Sequence, residues 1–239
     1  SGVALFGANG AGKTTLLRLA MGLARGGEGQ GHLAGLPDDA PPEDRARVAG
    51  YLFQQPESQL FERTVEREVA YGPRRLGWEE PAVADAVRQS LAEVGLSQAA
   101  EEHPYNLSAP HRRLVALAAV LAGAPSLLLL DEPTAGLDRH SRSVVRDVVL
   151  RRRASGTAVL AVTHDGELAL EALDEAVILD GGTVVRSGTV ADLLGAPGAP
   201  ALPPTVLLAR RLGLGLAVPR FDSVADALVH TLPHPHTGH

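Results

Sequence analysis

The chain has 239 residues, enough to bury a sizeable core as one large domain or two modest lobes; 45% are hydrophobic but only 3% aromatic, so Leu, Val and Ala must build that core. A net charge of −6 argues weakly against nucleic acid as the main partner. The absence of cysteine excludes disulfides and thiol chemistry and suits a cytoplasmic setting.

In chain order, Val3–Phe6 reads as a short buried strand ending on a glycine loop. Lys13–Met21 reads as a helix, closed by a flexible turn, RGGEGQG, at 25–31. PDDAPPEDRAR, 37–47, reads as a polar, proline-rich surface loop, and Val48–Phe53 as the next strand. From Thr64 to Leu96 the pattern is helical: TVEREVAYG, a break at Pro73, then a helix with Pro81 in its first turn. The apolar run Leu114–Leu130 is interrupted by Gly123, Pro125 and Ser126. It falls short of the roughly 20 residues a membrane span needs, so it reads as a helix followed by a buried strand.

Strand and helix then alternate through SLLLLD, RHSRSVVRDVVLRRRA, TAVLAVTHD and GELALEAL; EAVILDGGTVV reads as a hairpin turning at Gly181-Gly182. Arg151–Arg153 is expected to be the solvated end of its helix, where cations suit the dipole. Beyond Gly195 a Pro/Gly/Ala linker leads to two short helical stretches and a tail holding His230, His234, His236 and His239, expected to be disordered rather than metal-binding.

Such alternation predicts an α/β fold: a mostly parallel sheet flanked by helices, with an α-helical lobe inserted. The expected division is an α/β core at 1–63 and 109–195, a helical lobe at 64–108, and a C-terminal extension at 196–239. The opening SGVALFGANG enters directly on a strand, with no basic segment and no initiator methionine. An upstream segment with the first strands of the sheet is expected to be missing, leaving exposed edges prone to aggregation.

Two stretches carry chemistry. GANGAGKT, Gly7–Thr14, fits G-x-x-x-x-G-K-[ST] between a strand and a helix, the arrangement of a phosphate-binding P-loop NTPase. Its glycines let backbone amides converge on phosphate oxygens at the positive end of the helix. Lys13 would pair with the β- and γ-phosphates and the Thr14 hydroxyl would bind Mg²⁺. Asn9, Gly10, Ala11, Gly12, Lys13, Thr14 and Thr15 are thus the expected nucleotide contacts. LLLLDE, Leu127–Glu132, supplies the complement: Asp131 ends a buried strand and holds Mg²⁺ through water, and Glu132 is placed to polarise an attacking water.

With those residues in hand the chain resembles the ATP-binding subunit of ABC transporters over nearly its whole length. GANGAGKTT looks like Walker A, and LLLLDEPTAGLD looks like Walker B running into the D-loop at Leu137-Asp138. Gln54 falls where the Q-loop glutamine belongs and His164 where the switch histidine belongs. The resemblance implies that Gln54 approaches the metal and senses a transmembrane subunit, and that His164 contacts the γ-phosphate. It makes Glu132, His164 and Gln54 the catalytic set, Thr14, Gln54 and Asp131 the metal contacts, and ATP and Mg²⁺ the ligands. It also implies a second ABC ATPase and a transmembrane subunit as partners, no nucleic acid, and a peripheral place on the cytoplasmic face of the membrane.

FQQPESQLFERTVEREVAYGPRRLG is similar to a stretch of energy-coupling-factor ATPases, the cobalt, nickel and vitamin importers, in which it grips the shared transmembrane subunit. PPTVLLARRLGLGLAVPRFDSVADAL looks like that group's C-terminal extension. The family also stacks adenine on an aromatic upstream of Walker A, a position nothing here occupies.

The family's signature loop reads Leu-Ser-Gly-Gly-Gln and closes over ATP on the opposite subunit. Here Leu107 and Ser108 match, while Ala109, Pro110 and His111 do not. Proline has no amide hydrogen, and losing a donor aimed at developing charge costs about 3–4 kcal/mol. Pro110 equally suits the start of the following helix. Only the contribution to the neighbour's nucleotide is altered, so an asymmetric heterodimer with one dominant site is expected. Alternative readings are a regulatory subunit that hardly hydrolyses and a soluble ABC ATPase acting on DNA or ribosomes. The latter would bring a coiled-coil insert, a basic surface or a second cassette, none of them seen in this sequence.

Overall fold

The computed structural model describes residues 1–24, 33, 35–37 and 39–196. The turn expected at 25–31 and the stretches beyond 196 lie outside the described residues. The predicted α/β architecture is what forms. Six strands, β1 (Gly2–Gly7), β2 (Ala49–Leu52), β3 (Leu127–Asp131), β4 (Ala158–Val162), β5 (Glu175–Asp180) and β6 (Thr183–Thr189), make one sheet in the order β2-β3-β4-β1-β5-β6. The pairings β2–β3, β3–β4, β4–β1 and β1–β5 are parallel; β5–β6 is antiparallel. The β5–β6 turn falls at Gly181-Gly182, with φ 52° and 81°, the left-handed geometry a two-residue hairpin requires.

Alternation along the strands sorts side chains to two faces. Ala4, Phe6, Leu128, Leu130, Val159 and Ala161 join the larger apolar cluster, and Leu5, Leu129 and Val162 the smaller one. Helix α1 (Lys13–Ala20) covers the smaller cluster through Leu17. The larger cluster runs without a break into α3 (Val65–Arg75), α4 (Glu80–Glu93) and α5 (Ala109–Ala122), and into α6 (Arg139–Ala154), α7 (Gly166–Ala172) and α8 (Val190–Gly195). Helix α5 links the two regions, touching α3 and α4 as well as β2. Leu117 on α5 is 1% exposed. Leu117→Ala is expected to cost about 2–5 kcal/mol in urea unfolding, because it removes apolar contact and leaves a cavity.

Three expectations are corrected by the fold. The proposed loop at 37–47 contains a helix, α2 (Pro42–Val48), with Pro42 at its start, Glu43 and Asp44 in its first turn and arginines in its last. Those are helix-start and helix-end chemistries, outweighed in the sequence by three prolines. Arg45 then fastens α2, donating to the carbonyls of Ala40 (2.9 Å) and Ala20 (2.7 Å). The break expected at Pro73 does not occur: α3 runs on to Arg75, because Pro73 sits near the end of the helix, where its missing N–H leaves only one upstream carbonyl short.

The arginine run is solvated only at Arg151, while Arg152 and Arg153 are largely covered. Arg152 grips the Glu93 carboxylate at 2.6 Å, Arg151 donates to the Glu93 carbonyl at 3.0 Å, and Arg153 binds the Ala172 carbonyl and Asp174. Together they tie the end of α6 to α4 and to the α7–β5 junction. Helix α8 has no counterpart among the elements expected from local pattern.

Candidate functional site

The site follows from the topology. The parallel strands β1 to β4 point the same way, so their C-terminal ends form one rim, where open α/β sheets bind ligands. Register sets the level: Asp131 on β3 is opposite Val162 on β4, which is opposite Leu5 on β1. The residues after those positions, 7–15, 54, 131–132 and 162–164, therefore meet although they are spread over the chain.

They enclose a cleft of about 310 Å³ lined by Asn9, Gly10, Gly12, Lys13, Thr14, Thr15, Gln54, Asp131, Glu132, Val162 and His164. One expected nucleotide contact, Ala11, does not line it. Ala11 is 4% exposed and packed in the smaller apolar cluster; its N–H goes to the Ala8 carbonyl and its carbonyl accepts from Gly182. Ser108, expected to act on a partner's nucleotide rather than in this cleft, caps α5 and accepts from the His111 N–H at 3.4 Å.

The loop from Gly7 is shaped by backbone that only glycine adopts easily. Gly12 caps α1 at φ 99° with no side-chain cap, which keeps the first turn open to the cleft. At Gly7 a Cβ would lie 2.3 Å from the Leu179 carbonyl oxygen. Lys13 is buried, and its ammonium donates to the carbonyls of Gly7 (2.8 Å) and Ala8 (2.9 Å). The loop thus holds its one cation against its own backbone carbonyls.

Asp131 is 1% exposed and accepts from the Tyr51 hydroxyl at 3.4 Å. Burial, with the Asp131 charge second, pushes the Tyr51 pKa up to about 12, so the hydroxyl stays a donor. Glu132 has a left-handed backbone, φ 51°, a strained state for a non-glycine residue. Its N–H donates to the Val162 carbonyl at 2.9 Å and its Oε2 accepts from the His164 N–H at 3.2 Å. The His164 Nε2 stands 3.3 Å from Glu132 Oε1. Burial raises the Glu132 pKa above its ordinary value, an effect that the charge and amide of His164 partly offset. The carboxyl is thereby brought closer to the basicity a proton acceptor needs.

The pattern of the ABC transporter family matches residues 1–135. A Pyrococcus furiosus protein named as an ABC transporter ATP-binding protein is 38% identical over 189 residues, covering 79% of this chain and 73% of its own. The chain belongs to the ABC transporter family. A Streptomyces coelicolor ABC transporter ATP-binding protein is 43% identical over 194 residues, 80% of this chain and 73% of that one.

Among solved ABC structures, CbiO1 of Clostridium perfringens, described as part of the transporter complex CbiONQ, superposes with a TM-score of 0.75. It is 26% identical, over 90% of this chain and 84% of its own. A further ATP-binding subunit of an ABC transporter gives 0.73 at 25% identity, over 95% and 88%. As an ABC cassette the chain binds ATP and is an ATPase.

Sequence reasoning missed the Tyr51–Asp131 contact, the Val162 wall and the Gly182 amide on Ala11. Each joins residues far apart in the chain through ordinary apolar or glycine positions, which carry no motif.

Proposed function

We propose that this ABC ATPase powers an energy-coupling-factor-type importer of a micronutrient, a metal ion or a vitamin, as one half of an asymmetric ATPase pair docked on a transmembrane subunit at the cytoplasmic face. The observation that carries the ATPase half is the convergence of 9–10, 12–15, 54, 131–132 and 164 in one cleft. The importer half is supported by the 56–77 stretch and by the likeness to CbiO1.

In this reading Lys13 and the amides at the start of α1 hold the β- and γ-phosphates. Glu132 orients a water whose oxygen bonds the γ-phosphorus as the bond to the β-γ bridging oxygen breaks; the water's proton passes to Glu132. His164, 3.3 Å from Glu132, steadies that carboxylate and faces the transferred phosphoryl group. The donors fit Mg²⁺, a hard cation that takes one or two carboxylates, hydroxyls and phosphate oxygens. Among the described residues no three acids or histidines converge as an all-protein cage, so Thr14, Asp131 and Gln54 would hold an ion arriving with the triphosphate. Bound there, Mg²⁺ neutralises charge developing on the phosphates.

The asymmetry rests on the start of α5. Pro110 lies in its first turn and offers no N–H, and the His111 N–H goes to Ser108's own hydroxyl. A nucleotide on a partner facing this helix end meets fewer donors than a glycine-rich loop would give. The same observation favours a second reading, a regulatory subunit with little turnover.

The test compares this subunit alone with the complex isolated from its native membrane. The chain alone is expected to bind ATP but to hydrolyse it about 10²–10³-fold more slowly than the mixed complex. Normal turnover by a dimer of this chain alone would sink the asymmetric pair.

A further inference from the structure

We propose that Arg113 is a positioning residue for hydrolysis, a buried fork on α5 that fixes the backbones carrying Gln54 and Glu132. The inference rests on the cleft being the hydrolytic site. Arg113 is 7% exposed, and a buried guanidinium must be matched by acceptors. One of its terminal nitrogens donates to the Gln54 carbonyl and the other to the Ala135 carbonyl. Neither acceptor lies in a helix or strand; both lie in segments that lead into or out of the cleft.

The link to Glu132 is short. The Ala135 N–H donates to the Glu132 carbonyl at 3.2 Å, and the Ala135 carbonyl takes Arg113. Glu132 itself is held at φ 51°, a conformation that persists only where its surroundings over-determine it. Arg113 supplies one of those constraints from outside the cleft. On its remaining side the Arg113 Nε faces Glu57 Oε2 at 3.6 Å, and neither of these two buried atoms makes a hydrogen bond. Glu57 belongs to the short 3-10 turn Pro56–Gln59 that follows Gln54. One side chain thus spans the Gln54 loop, the segment after Glu132 and the helix that starts at Ala109.

Only a planar fork reaches both carbonyls at once; a lysine ammonium is a single point donor on a flexible stem. The test measures ATP turnover, KM and nucleotide-induced thermal shift in the purified transporter complex, for wild type, Arg113→Lys and Arg113→Met. Arg113→Lys is expected to lower kcat by about 10- to 100-fold, the effect of a small misplacement of catalytic groups. KM and the thermal shift should stay within about twofold, because the loop at 7–15 is untouched.

Arg113→Met should be at least as impaired in kcat as the lysine variant; if it does not fold, the lysine variant decides. Unchanged kcat in Arg113→Lys beside an active wild type overturns the inference. So does a parallel loss of kcat, nucleotide binding and melting temperature, which marks a merely structural arginine. A wild-type complex that does not hydrolyse ATP overturns the functional reading beneath it instead.

Discussion

Replacing Glu132 by Gln is expected to reduce ATP turnover in the assembled complex by about 10²–10⁴-fold, the usual contribution of a positioned general base. Glutamine keeps the shape of the side chain and an oxygen for the His164 amide, so the fold and nucleotide binding should survive. It cannot take the proton of an attacking water. The same variant separates the two readings of this subunit, since a regulatory ATPase that barely turns over would show no change.

The raised pKa of Glu132, caused first by burial, fixes the sign of the pH dependence. The carboxyl must be ionised to accept a proton. The acid limb of the wild-type kcat profile should therefore lie above the pH at which an ordinary glutamate ionises. An acid with a raised folded pKa favours the folded state below its unfolded pKa, and that contribution is lost as pH rises through the folded value. Glu132→Gln should abolish this part of the stability profile along with turnover. An acid limb at the ordinary glutamate position would remove Glu132 from the role of base.

The second large effect is on binding. Lys13→Ala removes the one cation buried in the phosphate loop, whose ammonium now holds the carbonyls of Gly7 and Ala8. Losing one partner of a buried, hydrogen-bonded charge pair costs about 2–5 kcal/mol, roughly a 30- to 4,000-fold rise in the Kd for ATP. Titration calorimetry on the full-length protein reads this directly. The fold should tolerate the change, because the loop retains its Ala11–Ala8 and Gly182–Ala11 backbone bonds. An affinity within about threefold of wild type would show that the triphosphate lies elsewhere.

Glu132 and Lys13 are both legible in the bare sequence, because each stands inside a short motif whose spacing is itself the chemistry. A glycine loop between strand and helix must present amides, and an apolar run ending in two acids must deliver them to the rim of a sheet. The elements legible from local pattern are those with strong periodicity, such as α6 with its alternation of apolar and charged residues, or β3 with its unbroken leucines. The readings that fail depend on context. Pro42 and Pro73 look alike as helix breakers, yet one begins a helix and the other sits near the end of one. Arg151–Arg153 look like any basic helix end until Glu93 and Asp174 are brought against them from distant segments.

Residue type and spacing within a few turns of chain are enough to specify the nucleotide chemistry, most of the succession of strands and helices, and a start of α5 at Ala109-Pro110 that lacks one amide donor. Those properties are local. It takes the folded chain to put Tyr51 behind Asp131, to turn Ala11 to the core, to strain Glu132 beside His164, and to let Arg113 grip two distant loops. Such contacts are set by strand order and register, which bring residues dozens of positions apart to within a few ångströms, and no short-range pattern encodes that distance.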